Sequence, residues 1–144
     1  MTNGFSVRET INRPANEVWT FMSNLEEAHR WMNGIEPMRR KTADPIDVGT
    51  VFAFDARGAE RITKITAWEP GRQMALTSQQ GGMTATYLYS VANGDDVGTT
   101  AVSLEATCEA SGFFWKLLSP LIVRLMKQSD SGQLAQLKAV MDEA

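Results

Sequence analysis

The stretch GFFWKLLSPLIVRLMKQSDSGQLAQLKAVMDE, residues 112–143, decides how this chain is read. It opens with Phe113, Phe114, Trp115, Leu117, Leu118, Leu121, Ile122, Val123, Leu125 and Met126. It passes through a polar interval from Lys127 to Gln133 and ends on Leu134, Leu137, Val140 and Met141. The whole reads as helical, and a helix this apolar must lie against a large surface. Ser119-Pro120 interrupts it. Proline inside a helix removes a hydrogen bond and clashes with the preceding turn. Serine at an N-cap followed by proline at the first position is instead a helix start. The spacing therefore predicts a short helix near 112–118 and a main helix from Pro120 to about Asp142. A single kinked helix is the alternative.

The surface for that helix comes from the preceding residues. Phe5, Val7, Glu9 and Ile11 alternate with Ser6, Arg8, Thr10 and Asn12, the pattern of a half-buried strand. Pro14 suits a first helical turn, and Val18, Trp19, Phe21 and Met22 follow at helical spacing. Asn24 and Glu27 resemble a capping box opening a second short helix, closed by Asn33-Gly34. Strands are expected over 35–43 (weakly), 49–57, 59–68, 72–79, 83–91 and 100–109. Gly58-Ala59, Glu69-Pro70-Gly71, Gly81-Gly82 and Asn93-Gly94-Asp95-Asp96 are the turns. Val102, Leu104, Ala106 and Cys108 form the apolar face of the last strand. Strand, two short helices, six strands and a long helix make an α+β order, a meander curled around a terminal helix.

With 144 residues the chain is expected to form one domain, 1–144, with a real core. A formal net charge of −3 and a short Arg39-Arg40-Lys41 run disfavour nucleic acid as a partner. A single cysteine and a single histidine, Cys108 and His29, exclude an intrachain disulfide and a thiolate zinc site. No metal and no cofactor is expected. No N-terminal signal pattern and no bilayer-length apolar run are visible, so a cytoplasmic location is expected.

A family resemblance rests on residues spread along the chain. Ile11-Asn12-Arg13-Pro14-Ala15-Asn16-Glu17-Val18-Trp19 is similar to the strand-to-helix signature of the START-like, or SRPBCC, superfamily. Trp31, Val48-Gly49-Thr50, Ile65-Thr66-Ala67-Trp68-Glu69-Pro70, Gly98-Thr99-Thr100-Ala101-Val102 and Leu134 to Met141 resemble its later landmarks. The likeness is greatest to the polyketide cyclase/dehydrase and lipid-transport branch. It implies a helix-grip fold: a curved antiparallel sheet of about seven strands around a long C-terminal helix, with a cavity between them. It implies no particular reaction.

Candidate site residues follow from helical and strand spacing. With Leu137 at the centre of the buried stripe, Met126 and Asp130 each fall roughly 20° away and Gln133 about 40°. Asp130 and Gln133 either line a wet cavity or are solvated through a shift of the helix. Gly132 beside them either allows close approach or is a weak point. Glu9 shares an apolar face, as a pocket acid or as an edge residue. Tyr87 and Tyr89 share the apolar face of their strand, as ligand-orienting hydroxyls or as core. Phe52 and Phe54 add aromatic bulk, and Met74, Met83 and Met126 deformable apolar volume. His29 is a general base or a surface residue. Of Arg61 and Lys64, on opposite faces of one strand, at most one points inward. Phe113, Phe114 and Trp115 are consecutive, so a helix cannot bury all three, and at least one faces a cavity mouth, a partner or solvent.

The primary expectation is binding, with transport, of a small hydrophobic ligand such as a lipid or polyketide-like molecule. Glu9, Phe52, Phe54, Tyr87, Tyr89, Met126, Asp130 and Gln133 would form its site. The protein would be a monomer or homodimer, with transient membrane contact. One alternative is a cyclase/dehydratase-type enzyme, using Glu9, His29 or Asp130 as acid or base and Tyr87 or Tyr89 on an enolate. The other is a protein-interaction module with a collapsed cavity and an exposed apolar patch.

Overall fold

Alternation of apolar and polar residues builds one curved antiparallel sheet. The computed structural model describes residues 3–32, 34–43 and 45–142. Its strands are β1 (Asn3–Ile11), β2 (Arg39–Arg40), β3 (Val51–Ala56), β4 (Ala59–Glu69), β5 (Gln73–Gln80), β6 (Met83–Asn93) and β7 (Thr100–Ala110). Their order is β1-β7-β6-β5-β4-β3-β2, with every neighbouring pair antiparallel. After β1 the chain crosses to the far edge through helix α1 (Ala15–Met22) and a 3-10 helix (Leu25–Arg30). From there it returns strand by strand. The inner face of β7 is nearly closed to solvent at Val102, Leu104, Ala106 and Cys108, as its alternation predicts.

Hairpin chemistry sets the register. Arg57 and Gly58 both take positive φ, 52° and 77°, as a two-residue turn between right-twisted strands requires. Ala56 therefore pairs with Ala59, and Phe54 with Arg61. In β4 the register shifts between Ile65 and Ala67, a bulge that bends the strand and helps curl the sheet.

The short elements differ in detail from the sequence reading. The segment over 35–43 keeps only Arg39–Arg40 as strand, with an isolated bridge from Ile35 to Ala56. Pro14 stands at the N-cap of α1, one position before the first turn. Asn24 makes no side-chain cap, and the six residues after it wind as a 3-10 helix; the capping box does not form. Asn33, the first residue of the expected Asn33-Gly34 stop, and Glu143, the last residue of the helical stretch, lie outside the described residues.

The terminal segment runs helically from Phe113 to Asp142, but its interruption is not at Pro120. Helix α2 (Phe113–Asp130) passes through Pro120 unbroken, and α3 (Gln133–Asp142) follows a two-residue turn at Ser131-Gly132. Pro120 has no N–H for the Lys116 carbonyl, four residues back. The Ser119 hydroxyl donates to that carbonyl instead, at 3.0 Å, so the helix continues. Gly132 approaches nothing: a Cβ there would meet no atom within 4 Å.

The two helices are held very differently. In α3, Leu134 and Leu137 are fully buried and Met141 nearly so. Arg13 donates to the Met141 carbonyl (3.2 Å) and Lys138 to the Thr10 carbonyl (2.6 Å), clamping α3 to the end of β1. In α2 the one buried residue is Ser119. Its start is pinned by Trp115, whose indole lies on the Gly81-Gly82 turn. A Cβ at Gly82 would stand 2.1 Å from Trp115 Cδ1, which is why that turn carries no side chain. The core lies toward α3, α1 and the 3-10 helix, around Trp31, Phe52, Tyr89 and Leu104. The sheet beneath α2 is less filled.

Candidate functional site

The incompletely filled region is a cavity of about 600 Å³ between the inner sheet face and α2. Phe54, Leu76, Met83 and Tyr87 form its sheet wall, and Ile122, Met126 and Asp130 its helix wall. Met32, Ile35 and Met38, from the connection between the 3-10 helix and β2, close one side. Arg57, Glu60 and Gln80, all exposed, stand at the rim.

Two tyrosines on one strand face select the two polar residues of the helices. Tyr87 and Tyr89, two apart on β6, project to the same side. Tyr87 donates to the Asp130 carboxylate at the end of α2, and Tyr89 donates to Gln133 Oε1 (2.6 Å) at the start of α3. Asp130 and Gln133 belong to different helices, yet both point at the sheet, as the helical spacing predicts.

The two pairs are not equivalent. Tyr89 is 1 % exposed and Gln133 6 %, so their bond is sealed inside the wall. Trp31 stacks edge-on against Tyr89, with centroids 5.4 Å apart. This pair ties the helical segment to the sheet. Tyr87 and Asp130 are only partly buried and face the open volume. Burial, and next the Asp130 carboxylate, raise the Tyr87 hydroxyl far above its ordinary range; the same two causes raise Tyr89. Both phenols therefore keep their protons at any physiological pH and act as donors.

Arg61 resolves the choice left open on β4. Paired with inward-facing Phe54, it lines the cavity, whereas Lys64 is exposed on the other face. Among the described residues Arg61 makes no hydrogen bond or ion pair, while Glu60 beside it is taken by Arg39 at 3.2 Å. The hairpin turn was the available signal: once Arg57-Gly58 is the two-residue loop, Phe54 and Arg61 must share a face. Met32, Ile35 and Met38 carried no such signal, because the segment holding them has almost no regular structure.

Other expected site residues lie elsewhere. Phe52 is fully buried in the core and outside the cavity wall. Glu9 is half-buried on β1, opposite Val102, and does not line the cavity. His29 does not line it either; its Nε2 is 4.0 Å from the Glu27 carboxylate. Cys108 lies in the deep wall, where burial pushes its thiol pKa up, as for an inert core cysteine. Tyr87, Tyr89, Phe54, Met126, Asp130 and Gln133 are brought together.

Comparison with known proteins agrees with this architecture. Ara h 8.0201, seen in a crystal structure, superimposes with a TM-score of 0.76 at 14 % identity, over 100 % of both chains. The di-domain ARO/CYC StfQ from the steffimycin biosynthetic pathway gives 0.75 at 12 % identity, over 99 % of this chain and 51 % of that one. A conserved protein from Geobacillus kaustophilus gives 0.71 at 11 % identity, over 96 % and 94 %. At such identities the likeness concerns the fold. No curated protein sequence matches the chain. Residues 4–142, nearly the whole length, match the family described as polyketide cyclase / dehydrase and lipid transport. With its helix-grip fold and that match, the chain belongs to the polyketide cyclase/dehydrase and lipid transport family of the SRPBCC superfamily.

Proposed function

We propose that this protein binds a small, mainly hydrophobic molecule, such as a fatty acid, isoprenoid, sterol-like or polyketide-like compound, between its sheet and α2. The observation that carries this reading is the cavity: about 600 Å³, mainly apolar, with the Tyr87–Asp130 pair and a few other polar side chains, Arg61 among them, on its wall. Ligand sites are commonly cavities of a few hundred Å³ with a few placed polar groups. Burial would supply affinity at about 25 cal/mol per Å² of apolar surface. Tyr87, whose one proton goes to Asp130, would accept a hydrogen bond from a ligand hydroxyl, and Arg61 at the rim would favour an acidic end. The protein would work in the cytoplasm as a monomer or homodimer, carrying its ligand with transient membrane contact. The family's lipid-transport description supports this reading.

The Tyr87–Asp130 pair favours one other reading, a cyclase or dehydratase acting on a polyketide-like substrate. Asp130 would take a proton and Tyr87 would hold the developing enolate oxygen. The likeness to an ARO/CYC protein supports it. Glu9 and His29 stand outside the cavity and are dropped from that mechanism. An interaction module with a collapsed cavity fits less well, because the cavity is open.

Native mass spectrometry of freshly purified protein, followed by solvent extraction, tests the primary reading. The expected result is a bound small molecule, or thermal shifts with several members of a lipid and polyketide panel. No adduct and no shift would reject it. Chemical conversion of a bound panel member would replace it with the enzymatic reading.

A further inference from the structure

The outer side of α2 carries an apolar stripe that nothing described in the molecule covers. Phe113, Leu117, Leu121 and Leu125 recur every four residues and are 83 %, 67 %, 55 % and 51 % exposed, Leu125 reaching the cavity edge as well; Phe114 beside them is 61 % exposed. Side chains four apart stack along one helix face. Scattered exposed leucines need no explanation, but a contiguous stripe marks an interaction surface. Three exposed cations lie on or beside it. At about 100° per residue, Arg124 lies within the stripe, about 40° from its axis, while Lys116 and Lys127 border it along one edge, roughly 100–120° from the axis, where long side chains can reach the interface. The single acid of α2, Asp130, is turned inward to Tyr87. On a chain of formal net charge −3, this face is locally apolar and basic.

We propose that α2 docks on an anionic phospholipid surface, lying in the plane of the interface. Phe113, Phe114 and the three leucines would dip toward the acyl boundary, and Lys116, Arg124 and Lys127 would meet phosphate-bearing headgroups. Charge decides between occupants. A second copy applied face to face would set these cations against the same cations, whereas anionic lipid neutralises them. No described helix is long and apolar enough to cross a bilayer, so this contact is peripheral. The attachment of α2 suits the role: it buries only Ser119, while α3 beyond the Ser131-Gly132 turn is clamped to the core. Ile122, Met126 and Asp130, on its inner side, line the cavity. Docking would thus bring the cavity mouth to the lipid. That last consequence rests on the ligand-binding reading; the docking itself does not.

The test is co-sedimentation of the intact protein, with no ligand added, with phosphatidylcholine vesicles containing or lacking phosphatidylglycerol. Binding is expected only to the anionic vesicles, weakening as salt rises. Arg124→Gln should lower the partition coefficient about fivefold. Leu117→Asp with Leu121→Asp should abolish binding; both sites are exposed, and an unchanged melting temperature verifies the fold. Absence of vesicle binding, equal binding to both vesicle types, or binding unaffected by the leucine substitutions would overturn the proposal. So would concentration-dependent dimerisation that the leucine substitutions abolish, without vesicle binding. Retained vesicle binding by a protein that takes up no ligand would leave docking intact and sink the ligand reading alone.

Discussion

Tyr87 and Asp130, 43 residues apart in sequence, share a hydrogen bond across the space between sheet and helix. The neighbouring Tyr89–Gln133 bond has the same chemistry but is sealed from solvent. The first pair is part-buried on the cavity wall; the second is closed off from solvent and ties helix to sheet.

That contrast separates two conservative substitutions. Tyr89→Phe leaves the buried Gln133 carbonyl oxygen without its donor, which costs about 1–3 kcal/mol. Tyr87→Phe leaves Asp130 able to recruit water and should cost less stability, while weakening a ligand that uses the hydroxyl. Urea titration and ligand titration of both variants check this. Equal stability losses would show that the two pairs are equivalent.

Alkaline pH should destabilise the protein through both phenols. Their folded pKa values are raised above the ordinary 10.0 by burial first and by Asp130 second. In the folded state they hold their protons after the unfolded chain has lost them. The stabilisation is therefore complete below pH about 10 and declines as pH rises above it. Tyrosinate absorbance should rise together with unfolding, not before it. Tyr89→Phe should flatten the decline.

Trp115 and Gly82 should behave as one unit. Gly82→Ala puts a methyl group 2.1 Å from Trp115 Cδ1, so the indole must leave the turn. Overpacking of this kind costs about 1–3 kcal/mol. Trp115→Ala removes the same contact from the other side. The double variant should be less destabilised than the sum of the single ones, as a thermodynamic cycle would measure.

Gly132→Ala should stabilise the protein by about 0.4–1 kcal/mol, because the site is open and alanine restricts the unfolded chain. A lowered urea midpoint would mean that the turn between α2 and α3 needs glycine.

Arg61→Gln should weaken binding of a long-chain carboxylic acid roughly tenfold, the worth of a charge-assisted hydrogen bond, and leave the matching alcohol unaffected. Isothermal titration with the two compounds measures the difference. Equal losses for both would remove the acidic end from the ligand.

Local periodicity made most of the fold legible. Alternation along Phe5–Ile11, Met83–Val91 and Thr100–Glu109 specified strands and their buried faces, because side-chain direction in a strand has period two. Turn residues such as Gly81-Gly82 bounded them, and the spacing of one ideal helix put Asp130 and Gln133 near the inward stripe without deciding between cavity and solvent; in the structure they stand on two helices and both meet the sheet. What failed was also local. The rule that proline breaks helices misplaced the interruption, because the Ser119 hydroxyl satisfies the carbonyl that Pro120 cannot. Glu9 and Phe52 share faces with apolar neighbours, but a face does not say how far along the sheet the cavity extends.

The sequence by itself determined the α+β order, the inner faces of the strands and the apolar character of the terminal segment, since each depends on residues within a few positions. Only the tertiary structure decided which polar groups meet: Tyr87 with Asp130, Tyr89 with Gln133, and Arg61 facing the cavity without a partner among the described residues. It also decided that α3 is clamped while α2 keeps its leucines in the open. Those outcomes depend on sheet curvature and on how much space the core leaves unfilled, and both are sums over contacts between residues far apart in the chain.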